Sequence, residues 1–268
     1  MQKRIISLAL LTCLVSFHSG VAGIQAVQPT RAVTPVNTAV MPASRLENDS
    51  YDWWARHADV LRLKDKIDPE IVLIGDSITH FWGGEPKASH VNGPMAWKSV
   101  FSSYRVLNLG FGWDRTQNVL WRLNHGELDG LHPRVIVIHI GTNNTSETPN
   151  ARKNTAPEIA EGIAAICASV RAKAPGARII LMQVFPRQEK PDHPRRVLIA
   201  ETNRLLVEFA RTNQVELVDI GPQMLKADGI LSKELMPDFC HPSEKGYQIW
   251  GEALAPLILP ASSASHGK

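Results

Sequence analysis

Five short apolar runs spaced along the chain constrain its fold more than any other feature. They are Ile71–Ile74, Arg105–Leu109, Val135–Ile140, Arg178–Val184 and Val215–Ile220. Each has the length and the Val/Ile content of a strand. Patterns with apolar residues at helical spacing separate the later runs. "TQNVLWRLNHGEL" follows the second, "EIAEGIAAICASVRAKA" the third and "RRVLIAETNRLLVEFARTN" the fourth, and "SEKGYQIWGEALAPLI" closes the series. "YDWWARHADVLRLKDKI" (51–67) reads as an amphipathic helix ahead of the first run. Strands alternating with helices predict a parallel sheet covered on both faces. "VIVIHI" agrees, being apolar on both faces rather than alternating. The expected fold is α/β: a three-layer α/β/α sandwich around one five-stranded parallel sheet.

Ligands of such sheets bind beyond the carboxyl ends of the strands, and four polar clusters fall there. Gly75-Asp76-Ser77 follows the first run. Alone it reads equally as a tight turn in which Asp76 or Ser77 caps the next helix. "NLGFGWDRT" (108–116) follows the second; its glycines permit tight geometry and its amides can face a ligand, although such loops are common. "GTNNTSE" (141–147) follows the third and is also a good polar turn. "MPDFCHPSEKGY" (236–247) lies beyond the fifth, with Asp238 and His241 three positions apart. A carboxylate there can accept the proton of one imidazole nitrogen and free the other to act as a base. A surface ion pair ahead of the last helix is the plainer alternative. On one sheet edge, however, a serine, amide donors, an amide side chain and an Asp-His pair make up the inventory for acyl transfer.

These blocks, in this order, resemble the SGNH (GDSL) hydrolase superfamily, whose fold is flavodoxin-like. Within it the chain looks most like the catalytic subunits of type Ib platelet-activating factor acetylhydrolases and their bacterial relatives. "NVLWRLNHGELDGLHPRVIVIHIGTNN" (118–144) and "FPRQEKP" (185–191) carry much of the likeness, which spans roughly Trp53 to Leu259. The resemblance implies that Ser77 is the nucleophile, His241 the general base and Asp238 its orienting partner. It further implies an oxyanion hole made of the Ser77 amide, a second-block amide and the Asn143 side chain, with Asp76 structural. One departure stands out: close relatives have glycine where this chain has Trp113. A backbone N–H survives that exchange, but the position can demand an angle that a bulky residue resists. Gly112 is the alternative amide donor.

The implied reaction is serine-esterase hydrolysis of short-chain, acetyl-type esters, with acetylated carbohydrate as the first expected substrate. The alternatives are a phospholipid- or lysophospholipid-type acyl hydrolase, a thioesterase, or a catalytically silent ester- or glycan-binding protein on the same scaffold. No cofactor or metal is expected, since the histidines are scattered without HExxH or zinc-type spacing. His139, inside an apolar run, reads as a core residue, and His80, three beyond Ser77, as lying near the site without a role in it. "RQEKPDHPRR" (187–196) reads as a charge-rich loop on the catalytic edge, a solvated surface loop first and a contact to a polar substrate as the alternative.

The start of the chain has the layout of a secretory leader. Lys3 and Arg4 precede an apolar stretch, Ile5 to Phe17, too short to span a bilayer, and small residues follow. The expected organisation is a signal peptide over 1–23, a flexible linker over 24–48, the hydrolase domain over 49–260 and a disordered tail over 261–268. Export places the protein in the periplasm or outside the cell, with no membrane span. The formal charge of +3 falls to +1 once Lys3 and Arg4 leave with the leader. Nothing in that balance favours a nucleic-acid partner. Cys167 and Cys240 are expected as free thiols. Family members form dimers, which leaves a homodimer open, but no interface is legible here.

Overall fold

The structure is a computed structural model that describes residues 36–258. The expected leader, the first part of the linker (24–35) and the expected tail lie outside the described residues. Helix α1 (Trp53–Ile67) starts where the Asp52 carboxylate accepts the Trp54 and Ala55 amides and stops at Asp68 in a left-handed conformation. Strands β1 (Ile71–Gly75), β2 (Val106–Gly110), β3 (Val135–His139), β4 (Arg178–Met182) and β5 (Glu216–Val218) form one parallel sheet. Their order is β2-β1-β3-β4-β5, the doubly wound order whose switch point lies between β1 and β3.

Side chains alternate across the sheet, so each strand feeds two cores. Val72, Ile74, Ile136 and Ile138 pack beneath α1, α4 (Thr116–Asn124), α5 (Ala156–Lys173) and α6 (Pro194–Asn213). Ile71, Leu73, Val135 and Val137 face the opposite layer, which includes α3 (Pro94–Phe101) and α8 (Glu244–Ile258). Helix α3 was not expected from the sequence. Its signal is slight: Pro94 at the first helical position after Gly93, a place where the missing N–H costs nothing. Strand β5 is shorter than its apolar run because it is the half-buried edge strand.

The linker expectation needs correcting from residue 36 onward. Asn37 caps a 3₁₀ turn (Thr38–Val40), and Ala39 is fully buried. The Ala39 carbonyl accepts the Thr116 hydroxyl at 2.8 Å, the Ala43 amide donates to the Gln117 carbonyl, and Asn118 Nδ2 donates to the Ser44 carbonyl at 2.7 Å. Polar groups in the first turn of α4 therefore hold this segment down as a strap. A weak apolar pattern hid it, because hydrogen bonds rather than buried bulk fix its course.

Two glycines decide what sits on the sheet edge. A Cβ at Gly75 would lie 2.0 Å from Thr79 Oγ1 and 2.4 Å from the His139 carbonyl, and one at Gly110 2.3 Å from the His80 amide nitrogen. Only bare backbone lets helix α2 (Ser77–His80) cross directly over the ends of β1 and β2.

Candidate active site

The chain leaves β1 through Gly75, and Asp76, not Ser77, caps α2: Asp76 Oδ1 accepts the Ile78 amide at 3.0 Å. The Ser77 hydroxyl is thereby spared for another partner, and it lies 2.8 Å from His241 Nε2. On the far side of the ring, His241 Nδ1 is 2.6 Å from Asp238 Oδ2. The other oxygen, Asp238 Oδ1, accepts the backbone amides of Cys240 and His241 at 3.0 and 2.7 Å. Burial alone would push the Asp238 carboxyl up, but its bonds from the His241 ring and amide outweigh that and hold it well below the usual carboxylate range. Asp238 therefore stays ionised, keeps the proton on Nδ1 and leaves Nε2 as the acceptor facing Ser77.

Asp76 is less completely engaged. Its Oδ2 is buried without a partner, and burial pushes its pKa up to about 7. The hydrogen bond to Ile78 is the loop-holding contact.

Asn143 opens a 3₁₀ turn (Asn143–Thr145) just beyond β3, and its Nδ2 donates to the Asp114 carbonyl at 3.1 Å. One amide hydrogen remains for a ligand. The neighbouring Asn144 points the other way, into the Thr116, Gln117 and Asn154 side chains. The second block turns back on itself, the Asp114 amide reaching the Phe111 carbonyl at 3.2 Å, with Trp113 at φ +64°. Positive φ at the third place of such a turn favours glycine. No hydrogen bond within the described residues engages the amides of Ser77, Gly112 or Trp113. Trp113 borders the cavity at Ser77, together with Phe81, Asn143 and Arg187, whereas Gly112 does not. Gly112 instead lies under the strap, where an added Cβ would meet Asp49 Oδ2 at 2.0 Å. Between two variants that both lack the indole, Trp113→Ala should be less stable than Trp113→Gly by about 1 kcal/mol. Urea midpoints measure the difference, and equal midpoints would mean the turn carries no strain.

Beneath this turn lies a buried ionic network that has no local signal in the sequence. Asp114 accepts Trp53 Nε1 and Arg122 Nε, each at 2.8 Å. Arg122 also pairs with Glu127, whose other oxygen meets His57 Nδ1 at 2.8 Å. Arg122 Nη2 further donates to the Leu109 carbonyl at 3.2 Å, and its guanidinium lies 4.0 Å from the centre of the Phe111 ring. Burial opposes its charge, but Glu127 and Asp114 prevail and raise its pKa.

The remaining candidates sort by environment. Burial pushes His139 down to about 3 and His80 down to about 2, so both are neutral. His139 accepts the Phe185 amide at 3.3 Å, while its Nδ1 has no partner. Cys167 and Cys240 are buried free thiols. The charge-rich loop is not simply a solvated surface loop. Arg187 lines the cavity and its Nη1 reaches Asn143 Oδ1 at 3.4 Å. Arg196 is buried and donates to the carbonyls of Arg187, Gln188 and Gly229. The Gln188 amide in turn holds the Phe239 carbonyl at 2.8 Å, tying this loop to the one that carries Asp238 and His241. The charge of the stretch concealed these roles, since the acceptors, Asn143 Oδ1 and several backbone carbonyls, are brought to the guanidinium groups only by the fold.

Comparison with known proteins adds independent findings. The profile of the GDSL-like lipase/acylhydrolase family matches residues 73–249. Platelet-activating factor acetylhydrolase IB subunit alpha2 of Rattus norvegicus is 36% identical over 227 residues, covering 83% of this chain and 91% of the relative. A GDSL-like lipase of Bacteroides thetaiotaomicron superposes with a TM-score of 0.58 at 20% identity, covering 75% of this chain and 98% of its own. Axe2, an acetylxylan esterase of Geobacillus stearothermophilus, superposes with a TM-score of 0.56 at 18% identity, covering 71% and 94%.

Proposed function

The chain belongs to the GDSL-like lipase/acylhydrolase family and is a carboxylic ester hydrolase; from that premise we propose that it removes acetyl groups from carbohydrates through a Ser77–His241–Asp238 triad. One observation carries this reading. The hydrogen-bonded line from Asp238 through His241 to Ser77 ends in a cavity of about 100 Å³. That is small beside the roughly 300–1,000 Å³ of pockets for drug-sized ligands, and it suits an acetyl group rather than a long acyl chain.

His241 Nε2 takes the Ser77 proton as Oγ attacks the ester carbonyl carbon, and the carbonyl oxygen becomes negative. The Ser77 and Trp113 amides and Asn143 Nδ2 receive that charge. Collapse expels the alcohol, which leaves with the proton from His241, and an acetyl-enzyme remains. Water, deprotonated by His241, attacks this ester; acetate departs and Ser77 regains its proton. The leader expected over 1–23 puts the reaction outside the cytoplasm, where acetylated polysaccharides are available substrates. Axe2 is an acetylxylan esterase by name, which favours the same substrate class.

The likeness to platelet-activating factor acetylhydrolase subunits supports a second reading, hydrolysis of an acetylated phospholipid. No helix of the described residues is long and apolar enough to cross a membrane. A series of p-nitrophenyl esters from C2 to C12, with acetate release from acetylated xylan beside it, tests the proposal. Activity is expected to peak at C2 and to fall at least tenfold by C6. A preference for long chains would overturn it.

A further inference from the structure

The small cavity at Ser77 accounts for one half of an ester. A second opening of about 460 Å³ meets it at Phe81 and His241, which line both. Mechanism decides which half of the substrate each receives. His241 Nε2, 2.8 Å from Ser77 Oγ, must give its proton to the departing oxygen, so the alcohol leaves past the imidazole. Of the two openings, the oxyanion donors Trp113 and Asn143 border the small one and not the larger. The larger one therefore lies on the leaving-group side.

Its lining has a definite chemical character. His90 packs over the face of buried Phe81, ring centroids 3.8 Å apart, with Phe81 centred 5.4 Å from His241, so exposed His90 presents the aromatic surface. Such a surface accepts the apolar face of a sugar ring. The Asn92 amide nitrogen is fixed to the Phe81 carbonyl at 2.8 Å, which sets the residue beside that surface, and no hydrogen bond within the described residues uses its side chain. Glu244 is committed elsewhere, accepting the Met95 and Ala96 amides at the start of α3. Asp238 and Glu244 line the opening and neither lysine nor arginine does, so it is unsuited to a phosphate-bearing alcohol.

We propose that this cavity is a leaving-group subsite for a neutral sugar ring, stacked on His90 with Phe81 behind it, and hydrogen-bonded by Asn92. The proposal rests on the acetylesterase reading above and adds to it which residues select the alcohol. It is tested by steady-state kinetics of the full chain on two acetyl esters, 6-O-acetyl methyl glucoside and ethyl acetate. The readout is the ratio of their kcat/KM values. His90→Ala and Asn92→Ala should each lower that ratio about tenfold, the scale of one lost contact, through KM of the sugar ester. His90→Phe, which keeps a ring but loses the imidazole, should restore most of it. With an active wild type, a ratio left unchanged by His90→Ala and Asn92→Ala, whether activity holds or falls equally on both esters, overturns the subsite while leaving the acetylesterase reading intact. A wild type that cleaves ethyl acetate yet ignores the sugar ester overturns both the subsite and the carbohydrate substrate, and leaves an acetylesterase that acts on another alcohol.

Discussion

Replacing Ser77 with alanine is expected to lower turnover of p-nitrophenyl acetate by at least about 10⁴, with the fold unchanged. The size follows from the division of labour at the site. Without Oγ no acyl-enzyme forms, and His241, Asp238 and the oxyanion donors can only assist direct attack by water. In serine hydrolases that residual assistance is worth about 10³–10⁴ over water. The structural cost is small because the hydroxyl contributes one hydrogen bond, to His241, and Asp76 rather than Ser77 caps α2. The loss of that bond is worth about 1 kcal/mol. Asn143→Ala keeps the nucleophile and removes one oxyanion donor, so its loss should be smaller, about 10²–10³. Fluorophosphonate labelling adds an independent readout, since it requires an activated serine: the wild type and Asn143→Ala should label, and Ser77→Ala should not. Near-wild-type hydrolysis by Ser77→Ala would show that the nucleophile lies elsewhere, and an unlabelled wild type would favour the silent binding protein.

The parts of this fold that were legible in the sequence are those governed by local pattern. β1 and β3 are buried on both faces and read as continuous apolar runs. α5 carries a Thr155/Glu158 capping box at one end and Pro175-Gly176 just past the other. The catalytic blocks were legible because each lies directly after a strand, and in a parallel sheet those positions converge. What was hidden depends on groups that meet only in space. Nothing local to Arg122 predicts two carboxylates, eight residues before it at Asp114 and five after it at Glu127. Strap residues 36–48 lack a period because individual hydrogen bonds hold them, and Arg187 and Arg196 sat in a stretch whose charge suggested only solvent. Trp113 is the instructive middle case. The sequence marked the position as one where glycine was expected, and the positive φ there supplies the reason.

Among substitutions away from the triad, Arg122→Met is expected to have the largest effect, destabilising the domain by about 3–5 kcal/mol. Methionine fills much of the same volume, so the cost is electrostatic rather than a cavity. Asp114 and Glu127 are both buried, and without the guanidinium two carboxylates lose their counter-charge in a place with little water. Domains of this kind are stable by only about 5–15 kcal/mol, so the loss takes a large share. It should also depend on pH, in a direction that identifies its cause. In the wild type, burial already pushes Asp114 up to about 6 against the pull of Arg122. Removing Arg122 raises the folded-state value of Asp114 further, while the unfolded chain keeps ordinary carboxylates near 4. Between those limits the folded variant binds more protons than the unfolded one, so its stability falls as pH rises and recovers as pH is lowered. Urea unfolding at pH 5.5 and pH 8 should therefore show the gap between Arg122→Met and wild type narrowing at the lower pH. Adding Asp114→Asn and Glu127→Gln to the variant should restore part of the stability at pH 8, because neutral amides need no counter-charge. A gap independent of pH and untouched by those changes would mean that Arg122 acts through packing on Phe111 and its bond to the Leu109 carbonyl. Its link from the second-block turn to the ends of the strands would then not be an ionic one.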